Sequence, residues 1–130
     1  NDEGMEICSR LVAGQFGGLC FVNLVDFDML WGHRRDALSY AEGLNSFDRW
    51  LGGFMRDMSE DDVLMITADH GCDPSFKSST DHTREYTPFL MYGAGIEPKN
   101  YGTLDGFSHI GATAAYLLGV PYSASGKPLV

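Results

Sequence analysis

The sequence has no apolar run close to the ~18 residues that a membrane-spanning helix needs. Its three cysteines, Cys8, Cys20 and Cys72, include no C-x-x-C pair, and such an odd set favours reduced thiols over disulfides or a thiolate zinc site. Basic residues are also scarce, since nine Lys and Arg face 18 Asp and Glu for a formal net charge of −9. An acidic chain attracts neither nucleic acid nor anionic membranes. We therefore expect a soluble, cytoplasmic protein with cations among its partners.

Several catalytic signatures are missing as well. The chain has no P-loop, no G-x-G-x-x-G after a strand and no G-x-S-x-G elbow, so nucleotide-binding and serine-hydrolase functions lose their usual support. What it does contain is 44% hydrophobic residues and 16 glycines in 130 residues. This composition predicts one compact domain with many tight turns, as in an α/β scaffold that carries loops at one edge.

Hydrophobic periodicity predicts alternating strands and helices. Apolar runs at 19–25, 63–68 and 88–92 indicate strands, the first two buried on both faces. Helical spacing predicts a first helix over 2–13 and a second over 37–58, with Asp36 as its N-cap. A third predicted helix follows Ser108, its candidate cap, and ends at Gly119. Strand, helix and strand in that order predict a right-handed βαβ unit. The expected fold class is α/β, a mostly parallel sheet flanked by helices.

Acidic residues and histidines follow the ends of the first two predicted strands. Asp28 and His33 follow the first, and Asp69 and His70 follow the second. In a parallel sheet these ends share one edge, where open α/β folds bind ligands. A single His–Asp pair is more often a hydrogen-bonded loop anchor than a ligand pair. A third neighbourhood, Asp81–His82, shifts the balance toward a metal site of oxygen and nitrogen ligands, suited to Mn²⁺, Zn²⁺ or Mg²⁺.

Cationic side chains lie next to these residues in an otherwise acidic chain. Arginine forks match phosphate oxygens, which makes a phosphate group a plausible substrate feature. The competing interpretation is that each cation only balances nearby carboxylates as a solvated pair. The phosphate-binding candidates are Arg34, Arg35 and Arg84, with Lys77 beside them.

Three segments together resemble the C-terminal part of bacterial phosphopentomutases, over about residues 18–119. They are NLVDFDMLWGHRRD (23–36), ITADHGCDPSFKSSTDHTREYTPFLMYG (66–93) and HIGATAAYLLG (109–119). ADHG alone is shared across the alkaline phosphatase superfamily, whereas DFD followed by GHRRD and DHTRE is much narrower. The resemblance implies part of an alkaline-phosphatase-like core.

The resemblance also implies a dinuclear centre and a reaction. Asp28, His33 and His82 would hold one Mn²⁺, while Asp69 and His70 help to hold the other; Zn²⁺ and Mg²⁺ are the alternatives. In the family, a phosphothreonine exchanges its phosphoryl group with ribose 1-phosphate or ribose 5-phosphate, or their 2-deoxy forms, in nucleoside catabolism. Residues 1–130 would supply most metal ligands but no catalytic nucleophile, because the family's threonine, a further aspartate and the cap domain belong to segments absent here. We therefore expect this chain alone to be inactive, and to pair with the missing half-core or self-associate.

Two alternative functions stay open, and one residue, His109, differs from the family pattern. The chain could belong to another superfamily enzyme, such as a cofactor-independent phosphoglycerate mutase or a phosphohydrolase, or it could be a non-catalytic metal- or phosphate-binding module. His109 stands where the family pattern favours an acidic residue. We interpret it as a neutral surface histidine near a helix N-terminus and not as a ligand.

Overall fold

The computed structural model describes residues 1–130, which form two compact units and not the single domain that the length favours. The first unit contains Asn1–Phe16 and Phe21–Ala94, and the second contains Gly17–Cys20 and Gly95–Val130. Each unit has its own small set of buried residues, which are Met5, Val12 and Gly32 in the first and Ala112, Thr113 and Ala115 in the second. No helix combines the length and apolarity needed to cross a bilayer.

Two amphipathic helices dominate the first unit, as predicted. Helix α1 spans Asp2–Ala13 and helix α2 spans Ala37–Asp57. They pack together, with Trp50 Nε1 donating a hydrogen bond to Ser9 Oγ at 2.9 Å. Asp36 caps α2 as predicted, because its carboxylate accepts hydrogen bonds from Ser39 N and Ser39 Oγ. These bonds, the backbone one first, lower the pKa of Asp36.

The predicted strand at 19–25 is wrong. Residues 19–24 have no regular structure, and Phe21 is 84% exposed. A strand is stable only when a neighbouring strand satisfies its backbone N–H and C=O groups, and no strand of this chain pairs with this segment. The βαβ unit is therefore not formed either.

The other two predicted strands are present but pair in the opposite sense. Strand β1 (Leu64–Thr67) and strand β2 (Phe89–Tyr92) form a two-stranded antiparallel sheet, with Leu64 opposite Tyr92 and Thr67 opposite Phe89. A parallel pair needs a crossover connection, usually a helix. Residues 68–88 instead form a loop that turns the chain back beside β1, so these residues build no parallel sheet.

The first unit also contains a π-helix that the sequence did not predict. It spans Phe27–Gly32 and lies between the irregular segment and α2. The Phe27 ring packs edge-on against Trp31 and Tyr40, with centroid separations of 5.2 Å. Gly43 of α2 makes room for Trp31, since a Cβ there would lie 2.2 Å from Cζ3 of the indole. The π-helix therefore packs against α2 through Phe27 and Trp31.

Helix α3, Ser108–Leu117, organises the second unit. It starts at Ser108, but no side chain caps it, so the predicted Ser108 cap is wrong. Its predicted end is confirmed: Gly119 adopts φ +65°, and Val120 N returns to Ala115 O. The C-terminal residues pack on the helix through hydrogen bonds from Tyr122 Oη to Ser108 O and from Leu129 N to Thr113 Oγ1.

Candidate metal centre

Asp28 lies at the centre of the candidate site. The π-helix carries it, and the packing of Phe27 and Trp31 on α2 fixes that helix. Asp28 Oδ1 is buried and accepts no hydrogen bond. An unpaired buried carboxylate oxygen is costly, so such an atom calls for a cationic partner.

Three histidines converge on this oxygen. Asp28 Oδ1 lies 3.3 Å from His33 Nε2, 3.4 Å from His82 Nε2 and 3.9 Å from His70 Nε2. The Nε2 atoms of His33 and His82 are 3.2 Å apart, and the His70 and His82 rings stack with centroids 3.6 Å apart. These side chains come from the π-helix, from the residue just after it and from the segment that follows β1. Asp28 and His82, the two that are farthest apart in sequence, are separated by 54 positions.

Backbone carbonyls set the orientation of two of these rings. His33 Nδ1 donates to Thr80 O at 2.5 Å, and His70 Nδ1 donates to Gly71 O at 3.2 Å. Since a carbonyl only accepts, each Nδ1 carries the proton, and in the neutral ring Nε2 presents its lone pair. Metal-binding histidines commonly use this arrangement, in which the second ring nitrogen is held by a carbonyl.

Lone pairs on His33 and His70 therefore face the unpaired oxygen of Asp28. Two acceptors so close repel each other unless a proton or a cation lies between them. Asp28, His70 and His82 each offer a ligand atom, and these atoms all lie within 4.8 Å of one another. One carboxylate oxygen with imidazole nitrogens and no thiolate fits a divalent cation such as Mn²⁺ or Zn²⁺.

Asp69 lies at the rim of this cluster. Its side chain is 82% exposed, and its Oδ1 is 3.6 Å from His70 Nε2. The resemblance divided the ligands into two sets, Asp28–His33–His82 and Asp69–His70. The geometry places His70 between the two sets, close both to Asp69 and to Asp28.

The loop that carries His82 is closed at its base. Thr83 N donates to Gly71 O at 3.1 Å, and Asp73 N donates to Thr83 Oγ1 at 2.6 Å. Gly71 is needed here, because a Cβ at this position would lie 2.8 Å from Glu85 N. Hydrogen bonds from the Ser75 hydroxyl and backbone N–H lower the pKa of Asp73.

The predicted phosphate-binding arginines fall into two groups. Arg34 and Arg84 are exposed. Arg35 is half-buried, and all three of its guanidinium nitrogens donate to protein groups, among them Ser79 O, Gly32 O and Asp73 O. Each guanidinium nitrogen of Arg35 is thus engaged by the protein, and its phosphate-binding role stays a prediction that competes with these contacts.

Some residues shape the site without offering a ligand, and the sequence did not predict them. Tyr40 packs on Phe27, and burial, with Cys72 and Asp28 nearby, raises the pKa of its phenol. Gly43 admits Trp31. Glycine in the middle of a predicted helix was the one signal that pointed to a close contact there.

His109 lies apart from these residues in sequence and has its own partners. Its Nε2 is 2.7 Å from Asp105 Oδ1, and its Nδ1 is 3.1 Å from both the N and the O of Lys127. The Asp105 hydrogen bond, followed by the Lys127 backbone, raises the pKa of His109. The expectation of a neutral imidazole overlooked this carboxylate, which favours the charged form despite the helix N-terminus.

Comparisons with known proteins agree with a metal-dependent function. A family model described as "Metalloenzyme superfamily" matches residues 1–122. Phosphopentomutase of Lachnoclostridium phytofermentans is 50% identical over 128 residues, which cover 98% of this chain and 33% of the relative. Phosphopentomutase of Clostridium botulinum is 47% identical over 130 residues (98% and 33%), and that of Clostridium beijerinckii is 52% identical over 118 residues (90% and 30%). The chain spans about a third of the length of the curated relatives it matches.

Proposed function

Because the chain belongs to the metalloenzyme superfamily, we propose that it forms the metal-binding, C-terminal core part of a phosphopentomutase. The proposed reaction interconverts ribose 1-phosphate and ribose 5-phosphate, or their 2-deoxy forms. One observation carries the proposal: the unpaired buried oxygen of Asp28 faces three imidazole nitrogens. The curated relatives that match this segment bear the name phosphopentomutase, which favours this function over the phosphoglycerate mutase, phosphohydrolase and non-catalytic alternatives.

The proposed ligands form two adjoining sets. Asp28, His33 and His82 hold one cation, while Asp69 and His70 contribute to a second. The mixed oxygen and nitrogen donors favour Mn²⁺, with Zn²⁺ as the next choice. When bound, two such cations would supply positive charge that stabilises both the attacking and the leaving oxygen of a transferred phosphoryl group.

The chain's own residues have binding and orienting roles in this proposal. The carbonyls of Thr80 and Gly71 keep the Nε2 atoms of His33 and His70 free for the cation. Arg34 and Arg84, which are exposed, are proposed to donate to phosphate oxygens of the substrate. We assign no nucleophile to residues 1–130, and the phosphorylated threonine is proposed to lie in another part of an alkaline-phosphatase-like core. A cytoplasmic location, in line with three free cysteines, belongs to the same proposal.

A coupled assay for ribose 5-phosphate formation tests the function. With Mn²⁺ and a bisphosphate activator, the chain alone should show no turnover, because a mutase must hold the phosphoryl group covalently while the sugar exchanges. Turnover should appear when residues 1–130 replace the matching segment of the Lachnoclostridium phytofermentans phosphopentomutase. The same chimera with Asp28→Asn serves as the inactive control.

Three results would contradict the proposal. Robust turnover by the chain alone would show that the nucleophile is present here. A folded chimera that binds Mn²⁺ but does not interconvert pentose phosphates would show a different substrate class. A chimera with Asp28→Asn that keeps full activity would remove the metal centre from the mechanism.

Self-association is the proposed behaviour of the isolated chain. Large apolar side chains are exposed, including Phe21 (84%), Leu38 (72%) and Leu19 (63%). Exposed apolar side chains of this size promote association. Sedimentation velocity at about tens of micromolar, the range where such patches associate, should therefore detect oligomers, and Phe21→Lys should reduce them. A compact monomer at that concentration would contradict this expectation.

A further inference from the structure

Arg35 connects the π-helix to the loop that carries His82. Its Nε donates to Ser79 O at 2.7 Å, its Nη1 donates to Gly32 O at 3.0 Å and to Asp73 O at 3.1 Å, and its Nη2 donates to Asp81 O. Nη1 also lies 3.5 Å from Cys72 Sγ. Between the bridge at Gly71 and His82 the loop has no helix or strand, so its carbonyls need partners from elsewhere. One guanidinium supplies several of them.

Three consecutive carbonyls of this loop are tied to the other side of the site. Arg35 binds those of Ser79 and Asp81, and His33 Nδ1 binds that of Thr80 between them. His82 follows directly in the chain. The hydrogen bonds to these three carbonyls therefore set both the orientation of the His33 ring and the position of His82.

The backbone at Arg35 is also specialised. Arg35 has φ +56°, in the left-handed region that glycine and asparagine adopt more readily than arginine. Arg35 N donates to Gly32 O and Asp36 N donates to Trp31 O, which ends the π-helix and turns the chain toward α2. Glycine would adopt this backbone conformation at a lower energetic cost than arginine does. The hydrogen bonds of the arginine side chain therefore account for arginine at this position.

We propose that Arg35 is a positioning residue for metal binding, which holds the loop of residues 72–82 so that His33 and His82 reach Asp28. This inference rests on the proposed metal centre. It replaces the predicted phosphate contact of Arg35, since no guanidinium nitrogen remains unengaged. Lysine cannot take over this role, because one ammonium group cannot reproduce donors on three nitrogens in a planar fork.

Mn²⁺ titration by calorimetry tests the inference on the chain with Arg35→Ala, Arg35→Lys and the control Arg49→Ala, which removes an exposed arginine of helix α2. Loss of an outer-shell partner typically weakens metal affinity about 10–100-fold, and we expect that loss for Arg35→Ala. Arg35→Lys should recover little of it, and Arg49→Ala should bind as the wild type does. If Arg35→Ala does not fold, the Lys variant decides, with an expected loss of about tenfold.

A double-mutant cycle separates positioning from general destabilisation. If Arg35 acts through His82, then Arg35→Ala should change Mn²⁺ affinity by less than about threefold in a His82→Ala background. The visible spectrum of bound Co²⁺ should change in Arg35→Ala and stay unchanged in Arg49→Ala. Wild-type affinity in Arg35→Ala, or fully additive losses in the cycle, would overturn the inference alone. A wild-type chain that binds no Mn²⁺ would overturn the metal centre as well.

Discussion

Two aspartate–histidine arrangements in this chain use the same residue types in opposite ways. In the first unit, Asp28 Oδ1 is buried and unpaired while imidazole nitrogens surround it. In the second unit, Asp105 is exposed, and both ring nitrogens of His109 have partners, Asp105 and the Lys127 backbone. The first arrangement is incomplete without a proton or a cation between its acceptors, whereas the second is already satisfied. Hydrogen-bond satisfaction, and not residue type, distinguishes a ligand set from a structural pair.

The largest expected effect comes from neutralising the central carboxylate. Asp28→Asn keeps the shape of the side chain but removes the charge that faces the cation, so Mn²⁺ affinity should fall roughly 100-fold or more, about 2.7 kcal/mol. Calorimetric titration measures the change, and Asp105→Asn is the matched control with unchanged affinity. Equal losses in both variants would erase the distinction between the two arrangements.

A second prediction ranks the histidines within the first arrangement. His82 Nε2 lies 3.4 Å from Asp28 Oδ1 and 3.2 Å from His33 Nε2, whereas His70 Nε2 is 3.9 Å from the same oxygen. Because the proposed set of Asp28, His33 and His82 has three ligands and the proposed set of Asp69 and His70 has two, His82→Ala should cost Mn²⁺ affinity about tenfold more than His70→Ala, or ~1.4 kcal/mol. His109→Ala should cost none. Identical losses for His82→Ala and His70→Ala would disprove the ranking.

A third prediction concerns the packing that holds Asp28 in place. In Gly43→Ala the new methyl group would lie 2.2 Å from Cζ3 of Trp31, so the indole and the π-helix must shift. Overpacking of this kind costs about 1–3 kcal/mol of the free energy of unfolding, and Mn²⁺ affinity should fall with it. Urea denaturation and metal titration measure the two effects.

Gly52 in the same helix is the control, since a Cβ there meets nothing within 4 Å. Gly52→Ala should stabilise the helix by about 0.5–1 kcal/mol and leave Mn²⁺ affinity unchanged. If Gly43→Ala behaves in the same way, the seating of the π-helix on α2 does not control the position of Asp28.

The smallest expected effect is the pH response of the second arrangement. The raised pKa of His109 means that its contribution to stability is complete below the unfolded value of 6.5 and is lost as pH rises through the folded pKa. Asp105 has a lowered pKa, so its contribution is present above 3.8 and is lost as pH falls through the folded value. An NMR titration of the His109 ring should show its pKa falling in Asp105→Asn. An unchanged midpoint in that variant would rule out the carboxylate as the cause.

Much of the helical structure was predictable because its signals are local. The bounds of α1, the Asp36 cap of α2 and the end of α3 at Gly119 follow from periodicity and capping within a few residues of each site. Strands were less predictable, since pairing depends on residues far along the chain. The same kind of apolar run became a strand at 64–67, where β2 is available, and stayed irregular at 19–24, where no strand pairs with it.

The residue types of the candidate site can be read from the sequence alone: aspartates and histidines just past apolar segments, with arginines beside them. How these residues are used depends on the contacts that form when the chain folds. The tertiary structure brings His33, His70 and His82 to one oxygen of Asp28, turns Arg35 into a loop anchor and gives His109 a carboxylate partner. Ligand geometry depends on which hydrogen bonds are already made, and several of those bonds join residues far apart in the sequence, 46 positions in Arg35–Asp81 and 49 positions in His33–His82.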